Sequence, residues 1–205
     1  MKKFITVALV ALGFVNSVNA QGKGNVEFGL NVGVNFSNIT NSEDSAESST
    51  GFNVGGSMDY YFSDRWSIKG KLIYDRKGWD DDFISDQYGN LVRTDINVDY
   101  LTIPVMANWH FGAKRNWYLH FGPYAGILVS AKETRFETDV DQYLNSSDFG
   151  LAFGIGVKVP VSDKLKLFFE YDGQSGFSDV LDYTNAVSAS NSRSAFNVGL
   201  NFMMK

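Results

Sequence analysis

Val26-Glu27-Phe28-Gly29-Leu30-Asn31-Val32-Gly33-Val34-Asn35-Phe36-Ser37 alternates without a break. Val, Phe, Leu, Val, Val and Phe occupy one parity, and Glu, Gly, Asn, Gly, Asn and Ser the other. Successive side chains of a β-strand point to opposite faces, so this segment has one wholly apolar face and one wholly polar face. Segments of about ten residues with this alternation, separated by turn residues, mark a transmembrane β-barrel with lipid outside and a polar interior.

The same pattern recurs along the chain, and eight strands are predicted. Phe52, Val54, Met58, Tyr60 and Phe62 share a face in the second, and Trp66, Ile68, Leu72 and Tyr74 in the third. The fourth runs outward through Leu101, Ile103, Val105, Ala107, Trp109 and Phe111, and the fifth through Trp117, Leu119, Phe121, Ala125, Ile127 and Val129. Phe149 to Val159, Leu165 to Tyr171 and Phe196 to Phe202 supply the last three. Long connections at 38–50, 76–94, 133–148 and 176–192 alternate with short ones at 63–65, 112–116 and 160–164. The fold class is therefore all-β, an eight-stranded antiparallel up-and-down transmembrane barrel. Short turns and both termini are expected on the periplasmic side.

Residues 1–20 read as a signal peptide: Lys2 and Lys3, an apolar run from Phe4 to Val15, and the small-residue site Val18-Asn19-Ala20. The apolar run is short of the roughly 20 residues a spanning helix needs. Residues 21–205 then form the barrel domain. Loss of the leader leaves sixteen basic against twenty-three acidic residues, a net charge of −7. That balance argues against nucleic-acid binding, which depends on cations at phosphates. Without cysteine there is neither a disulfide framework nor a lipidated thiol. Export together with β alternation places the chain in an outer membrane.

A lipocalin-like soluble barrel has the same periodicity turned inside out. Side-chain size separates the two, since an eight-stranded interior is just wide enough for side chains to fill. The glycine-rich polar face fits inside, and the bulky Phe, Leu, Trp and Tyr face belongs outside. Trp66, Trp109 and Trp117 all point outward beside short turns, as an interfacial aromatic girdle would.

The inward ionisable residues form the candidate site: Glu27, Asp59, Lys69, Lys71, Lys158, Lys166, Glu170 and Asp172, with Asp75 beside them. Closure of the turn about Asp64 sets Asp59 directly across from Lys69, about 5 Å away. Near-balance of sign favours a salt-bridged plug over a charge-lined pore, because unpaired buried charge is costly. In the fourth strand Ile96 and Val98 fall on the parity opposite to Leu101 and its successors, and a β-bulge near Asp99 or Tyr100 would bring them outward. Pro104 cannot donate to a ladder and weakens its strand locally.

His110 and His120 are predicted inward, where a hydrogen bond to Tyr or Asn would satisfy them. G-x-S-x-G, H-E-x-x-H and a cysteine nucleophile are all absent. No residue is assigned a catalytic, cofactor-binding or metal-ligating role. Asp80-Asp81-Asp82 lacks the spacing of a calcium loop and reads as solvated loop charge.

The segments Tyr100-Leu101-Thr102-Ile103-Pro104-Val105, Trp117-Tyr118-Leu119-His120-Phe121-Gly122-Pro123-Tyr124-Ala125-Gly126 and Ser130-Ala131-Lys132 carry a family resemblance, joined by Asp148-Phe149-Gly150, Gly154-Ile155-Gly156 and Glu170-Tyr171. On these residues the chain resembles the PorT-like outer-membrane β-barrel family over essentially its whole mature length. The resemblance implies a small envelope barrel. The expected role is structural or interactive, with extracellular loops or periplasmic rim engaging an envelope partner. A narrow channel is the alternative and an enzyme a distant one. Expected contacts are outer-membrane lipid and another envelope protein, with the barrel itself monomeric.

Overall fold

The computed structural model describes residues 22–40, 47–85, 88–182 and 188–204. The proposed signal peptide lies outside the described residues. Eight antiparallel strands close into a ring in chain order: β1 Val26–Thr40, β2 Glu47–Tyr61, β3 Trp66–Ser85, β4 Leu91–Phe111, β5 Trp117–Glu133, β6 Ser147–Pro160, β7 Leu165–Gly176 and β8 Ser190–Met204. The seam pairs β1 with β8 from Val26↔Met204 to Thr40↔Ser190. Closure leaves no edge strand, which lipid would not tolerate.

The apolar parity faces outward on every strand. Leu30, Ile68, Phe121, Phe153 and Phe196 are all more than half exposed, whereas a monomer in water seldom exposes contiguous apolar surface beyond a few hundred Å². On β1 the outward apolar residues run from Val26 to Phe36 and give way to Asn38 and Thr40. Eleven tilted residues rise about 27 Å, close to the roughly 25 Å apolar band of an outer-membrane barrel. The soluble alternative would require this face inside.

Several local expectations change. The segments 38–50 and 76–94 are not simply loops, since β1 and β2 pair as far as Ser37↔Ser49, and β3 and β4 as far as Ser85↔Leu91. Above the bilayer, pairing continues without lipid to demand an oily outward face, so hydropathy misses it. Asp80, Asp81 and Asp82 sit at a register shift in this ribbon and diverge. Asp80 pairs with Glu47 in register, Asp81 with Arg93 at 3.0 Å, and Asp82 accepts from Trp79 Nε1 at 2.8 Å.

Ile96 and Val98 do not turn outward. The inward parity runs unbroken along β4, and both residues are buried. A register shift does occur beside Asp99 and Tyr100, but its extra residue is Val129 on β5, between Leu128 opposite Tyr100 and Ser130 opposite Asp99. One inserted residue flips every side chain beyond it, which brings Ala131 and Glu133 inside. Ile96 and Val98 instead join Ile39, Trp79, Tyr100 and Ala131 in an apolar cluster at the mouth. Opposite Pro104 the β3–β4 ladder is interrupted between Gly70↔Val105 and Ile73↔Thr102 in unchanged register, which a missing donor accounts for.

Candidate functional site

Bulky inward residues find room because the facing strand is bare. Tyr118, His120 and Tyr124 on β5 stand opposite Gly156, Gly154 and Gly150 on β6. A Cβ on Gly156 would come within 2.4 Å of the Tyr118 hydroxyl, and one on Gly154 within 2.3 Å of His120 Nε2. The alternation that places these rings inside therefore works only with glycine across the ladder.

Among the described residues, and apart from Glu133 at the mouth, six carboxylates (Glu27, Asp59, Asp75, Asp148, Glu170, Asp172) and six cations (Lys69, Lys71, Lys77, Lys158, Lys166, Arg193) are buried in the lumen. Each has an opposite charge within ion-pair distance. Glu27 receives both Lys158 and Lys166, and Lys158 also reaches Asp59 at 3.2 Å. Glu170 receives Lys71, Lys69 at 2.9 Å and the Tyr118 hydroxyl at 2.7 Å. Arg193 joins Asp75 at 3.0 Å to Asp172, while Lys71 contacts Asp172 at 3.0 Å. An asparagine ladder surrounds this layer: Asn31 donates to Asn53 at 2.9 Å, Asn53 to Asn35 at 2.8 Å, Asn35 to Asp75 at 2.7 Å, and Asn197 to Asp172 at 3.0 Å.

All eight candidate interior residues thus lie in the lumen and carry ion pairs. The Asp59↔Lys69 register holds, yet the two are not salt-bridge partners. Asp59 pairs with Lys158 on β6 and Lys69 with Glu170 on β7. Sequence reasoning missed Lys77, Asp148 and Arg193. Lys77 and Asp148 sat in segments assigned to loops and meet at 2.9 Å. The parity running through Lys69, Lys71, Asp75 and Lys77 was the available signal.

At the end of the barrel away from the chain termini the mouth is covered. Leu144 of the β5–β6 loop and Val180 of the β7–β8 loop drop into the apolar cluster, and the loops pair through Leu144↔Leu181 and through Asn145 Nδ2, 3.1 Å from the carbonyls of Asp179 and Leu181. Glu133, above the apolar band, organises the base of this cover. Burial pushes its carboxyl up, but amide hydrogen bonds from Thr138, Phe136 and Arg135, with the Thr94 hydroxyl, outweigh it and hold the group below the usual glutamate range. A carboxyl depressed on folding contributes stability above its unfolded pKa and loses it as pH falls through the folded value. Amide protection at Arg135, Phe136 and Thr138 is therefore expected to fall on acidification below about pH 4.5; hydrogen-exchange protection factors measured against pH would show it, and Glu133→Gln should abolish the dependence.

His110 Nε2 lies 2.9 Å from Ser67 Oγ, and no hydrogen-bond partner of His120 is found among the described residues. The serine–histidine contact resembles a nucleophile and base. Both side chains are fully buried, however, and the other ring nitrogen of His110 has no orienting acid among the described residues. His120, Glu170 and Asp172 are a cluster of metal-ligand type, with ligand atoms within 4.8 Å. Lys69, Lys71 and Arg193 already neutralise its two carboxylates, so a divalent cation would meet acids whose charge is already compensated.

At the opposite rim Trp66 stands in register with Trp109, and Phe111 with Trp117. Their rings form a chain, with centroids 6.4 Å apart for Trp66–Trp109, 5.1 Å for Trp109–Phe111 and 6.4 Å for Phe111–Trp117. The three tryptophans occupy an arc on β3, β4 and β5 rather than a full ring.

No curated protein matches the chain in sequence. Among solved structures, the barrel is similar to the outer membrane protein OprG of Pseudomonas aeruginosa, with a TM-score of 0.54 at 12% identity over 91% of this chain and 99% of that one. It is similar also to Neisserial surface protein A, with a TM-score of 0.53 at 16% identity over 85% and 96%. These likenesses bear on the fold. Residues 19–182 match the model of the outer membrane protein beta-barrel domain; with seven of the eight strands of the closed, oily-walled ring falling on those residues, the chain belongs to that family.

Proposed function

We propose that this protein is a closed, non-conducting barrel of the cell envelope that acts through its extracellular end, as a monomer with both termini in the periplasm. The observation that carries the reading is the mutual pairing, among the described residues, of six luminal carboxylates with six luminal cations beneath an apolar cover, where the remaining inward acid, Glu133, is held by backbone amides. A selectivity filter needs charged groups turned toward a water path. Here those groups are spent on one another. An enzymatic role finds no support in the buried histidines.

An interactive role is supported by the β3–β4 ribbon, which continues to Ser85 and Leu91 well past the last lipid-facing residues Tyr74 and Leu101. It exposes Phe83, Tyr88 and Leu91, with Arg93 lying 5.6 Å over the Phe83 ring. Aromatic and arginine side chains are enriched where proteins bind one another. Periplasmic termini are supported by the even strand number and by the short turns and the aromatic arc at the same end. The PorT-like branch is supported by the quoted motifs, which fall mainly on the adjacent strands β4, β5 and β6.

Purified protein inserted into planar bilayers is expected to give no stable unit conductance. A reproducible single-channel current would overturn the closed reading and favour a narrow channel.

A further inference from the structure

The aromatic arc sits directly above a local concentration of positive charge. Below it, the β2–β3 turn carries Asp64 and Arg65, and the β4–β5 turn carries Lys114 and Arg115. The two turns are clamped together. Arg115 Nη1 lies 3.1 Å from the Asp64 carboxylate and donates to the Asp64 carbonyl at 3.3 Å, and the His110 amide donates to the Arg65 carbonyl at 2.7 Å. Arg115 thereby neutralises Asp64. Arg65 and Lys114 are exposed and have no ion-pair partner among the described residues, so the clamped turns present two uncompensated cations beneath the arc. A furrow of about 420 Å³ opens at Trp117 and continues up the lipid-facing wall past Val157, Phe169 and Phe196.

We propose that this arc is a binding site for an anionic phospholipid. The phosphodiester is held by Arg65 and Lys114, the glycerol region lies against Trp66, Trp109 and Trp117, and an acyl chain follows the furrow. Charge complementarity and position select this occupant. The cations lie where a headgroup lies if the tryptophans mark the interface, and each basic group near such a surface favours anionic lipid by about 1 kcal/mol, or roughly five-fold. A zwitterionic headgroup satisfies the phosphate contact but offers the site an ammonium group as well, and is disfavoured. The site depends on the barrel being in a bilayer, and neither on which rim is periplasmic nor on whether the lumen conducts.

Tryptophan fluorescence reads the site directly. Of the four tryptophans, three form the arc, and Trp79 is buried in the mouth. Full-length protein is reconstituted into phosphatidylcholine vesicles with increasing fractions of brominated phosphatidylglycerol, and in parallel into vesicles in which the phosphatidylcholine carries the bromine. Bromine quenches indole emission at contact, so the two series give the relative affinity of the arc for each lipid. The expected result is a clear preference for phosphatidylglycerol, up to the roughly 25-fold that two groups of roughly five-fold each supply. In the double variant Arg65→Gln/Lys114→Gln this preference falls to about one, and in Lys23→Gln/Lys164→Gln, altered elsewhere on the same rim, it persists. Migration that still shifts on heating establishes that each variant folds. Equal quenching by the two lipids in the unaltered protein overturns the proposal and leaves the arc to a protein occupant or to general anchoring. A preference that survives loss of Arg65 and Lys114, or that vanishes equally in the rim control, overturns the assignment to these residues. Failure in planar-bilayer recordings would touch the closed-lumen reading alone.

Discussion

Glu170→Gln is expected to lower the stability of the folded barrel by about 3–5 kcal/mol, the cost of leaving buried charge without its partner. Glu170 is the acceptor for Lys69, Lys71 and Tyr118, and its side chain is fully buried. The amide keeps the volume and loses the charge. Lys71 retains Asp172 at 3.0 Å, whereas Lys69 has no other carboxylate within ion-pair distance among the described residues. Urea titration of the heat-modifiable folded form in micelles measures the loss. Lys69→Met added to Glu170→Gln should restore part of it, because the stranded ammonium is then gone. A single-variant loss below about 1 kcal/mol, the range of an exposed pair, would show that water reaches this layer.

The second large effect is expected at Gly156. A leucine there drives its Cβ into the Tyr118 ring, whose Cζ stands 2.3 Å from that position. Tyr118 is fully buried and holds Glu170, so it cannot swing away without breaking the luminal network. Overpacking of a closed interior costs about 1–3 kcal/mol, and disruption of the Tyr118–Glu170 hydrogen bond adds to it. Gly156→Leu should therefore shift the urea midpoint by an amount approaching that of Glu170→Gln. Leucine at Phe153, an outward position three residues earlier on the same strand, keeps an apolar group toward lipid and should leave the midpoint nearly unchanged. Equal effects at the two positions would mean that the interior yields as readily as the lipid surface.

Alternation carried the fold, and it did so where lipid enforces it. From Val26 to Phe36, Trp66 to Tyr74 and Trp117 to Ile127, every outward residue must satisfy a hydrocarbon solvent, and parity is readable from residue type. Above the band the rule relaxes. Ile96 and Val98 face inward as apolar residues because the loop cover makes the mouth dry, so their character points to the wrong face. The parity change in the β4–β5 pair was legible, but which strand holds the extra residue was not, since Val129 is apolar on either parity. Of the candidate interior residues, which side chains face the lumen could be read from the strand pattern. Who pairs with whom could not, because register defines neighbours along the wall whereas these salt bridges cross the lumen. Asp59 illustrates this: its partner in register is Lys69, and its partner in charge is Lys158, ninety-nine residues away.

That crossing geometry has a bearing on how the protein is made. Lys69–Glu170 spans 101 positions of the chain, Lys158–Glu27 spans 131, Lys166–Glu27 spans 139 and Arg193–Asp75 spans 118. No single hairpin can make these four pairs, since each joins strands that are not neighbours in the chain; only Arg193 finds a second partner, Asp172, within the β7–β8 hairpin. A half-assembled sheet entering hydrocarbon would bring ammonium and carboxylate groups in with it, each at a cost of several kcal/mol. Circularisation and charge neutralisation are consequently one event, completed when β8 zips onto β1, and any catalyst of insertion must shelter the open sheet from lipid until that last seam is sealed.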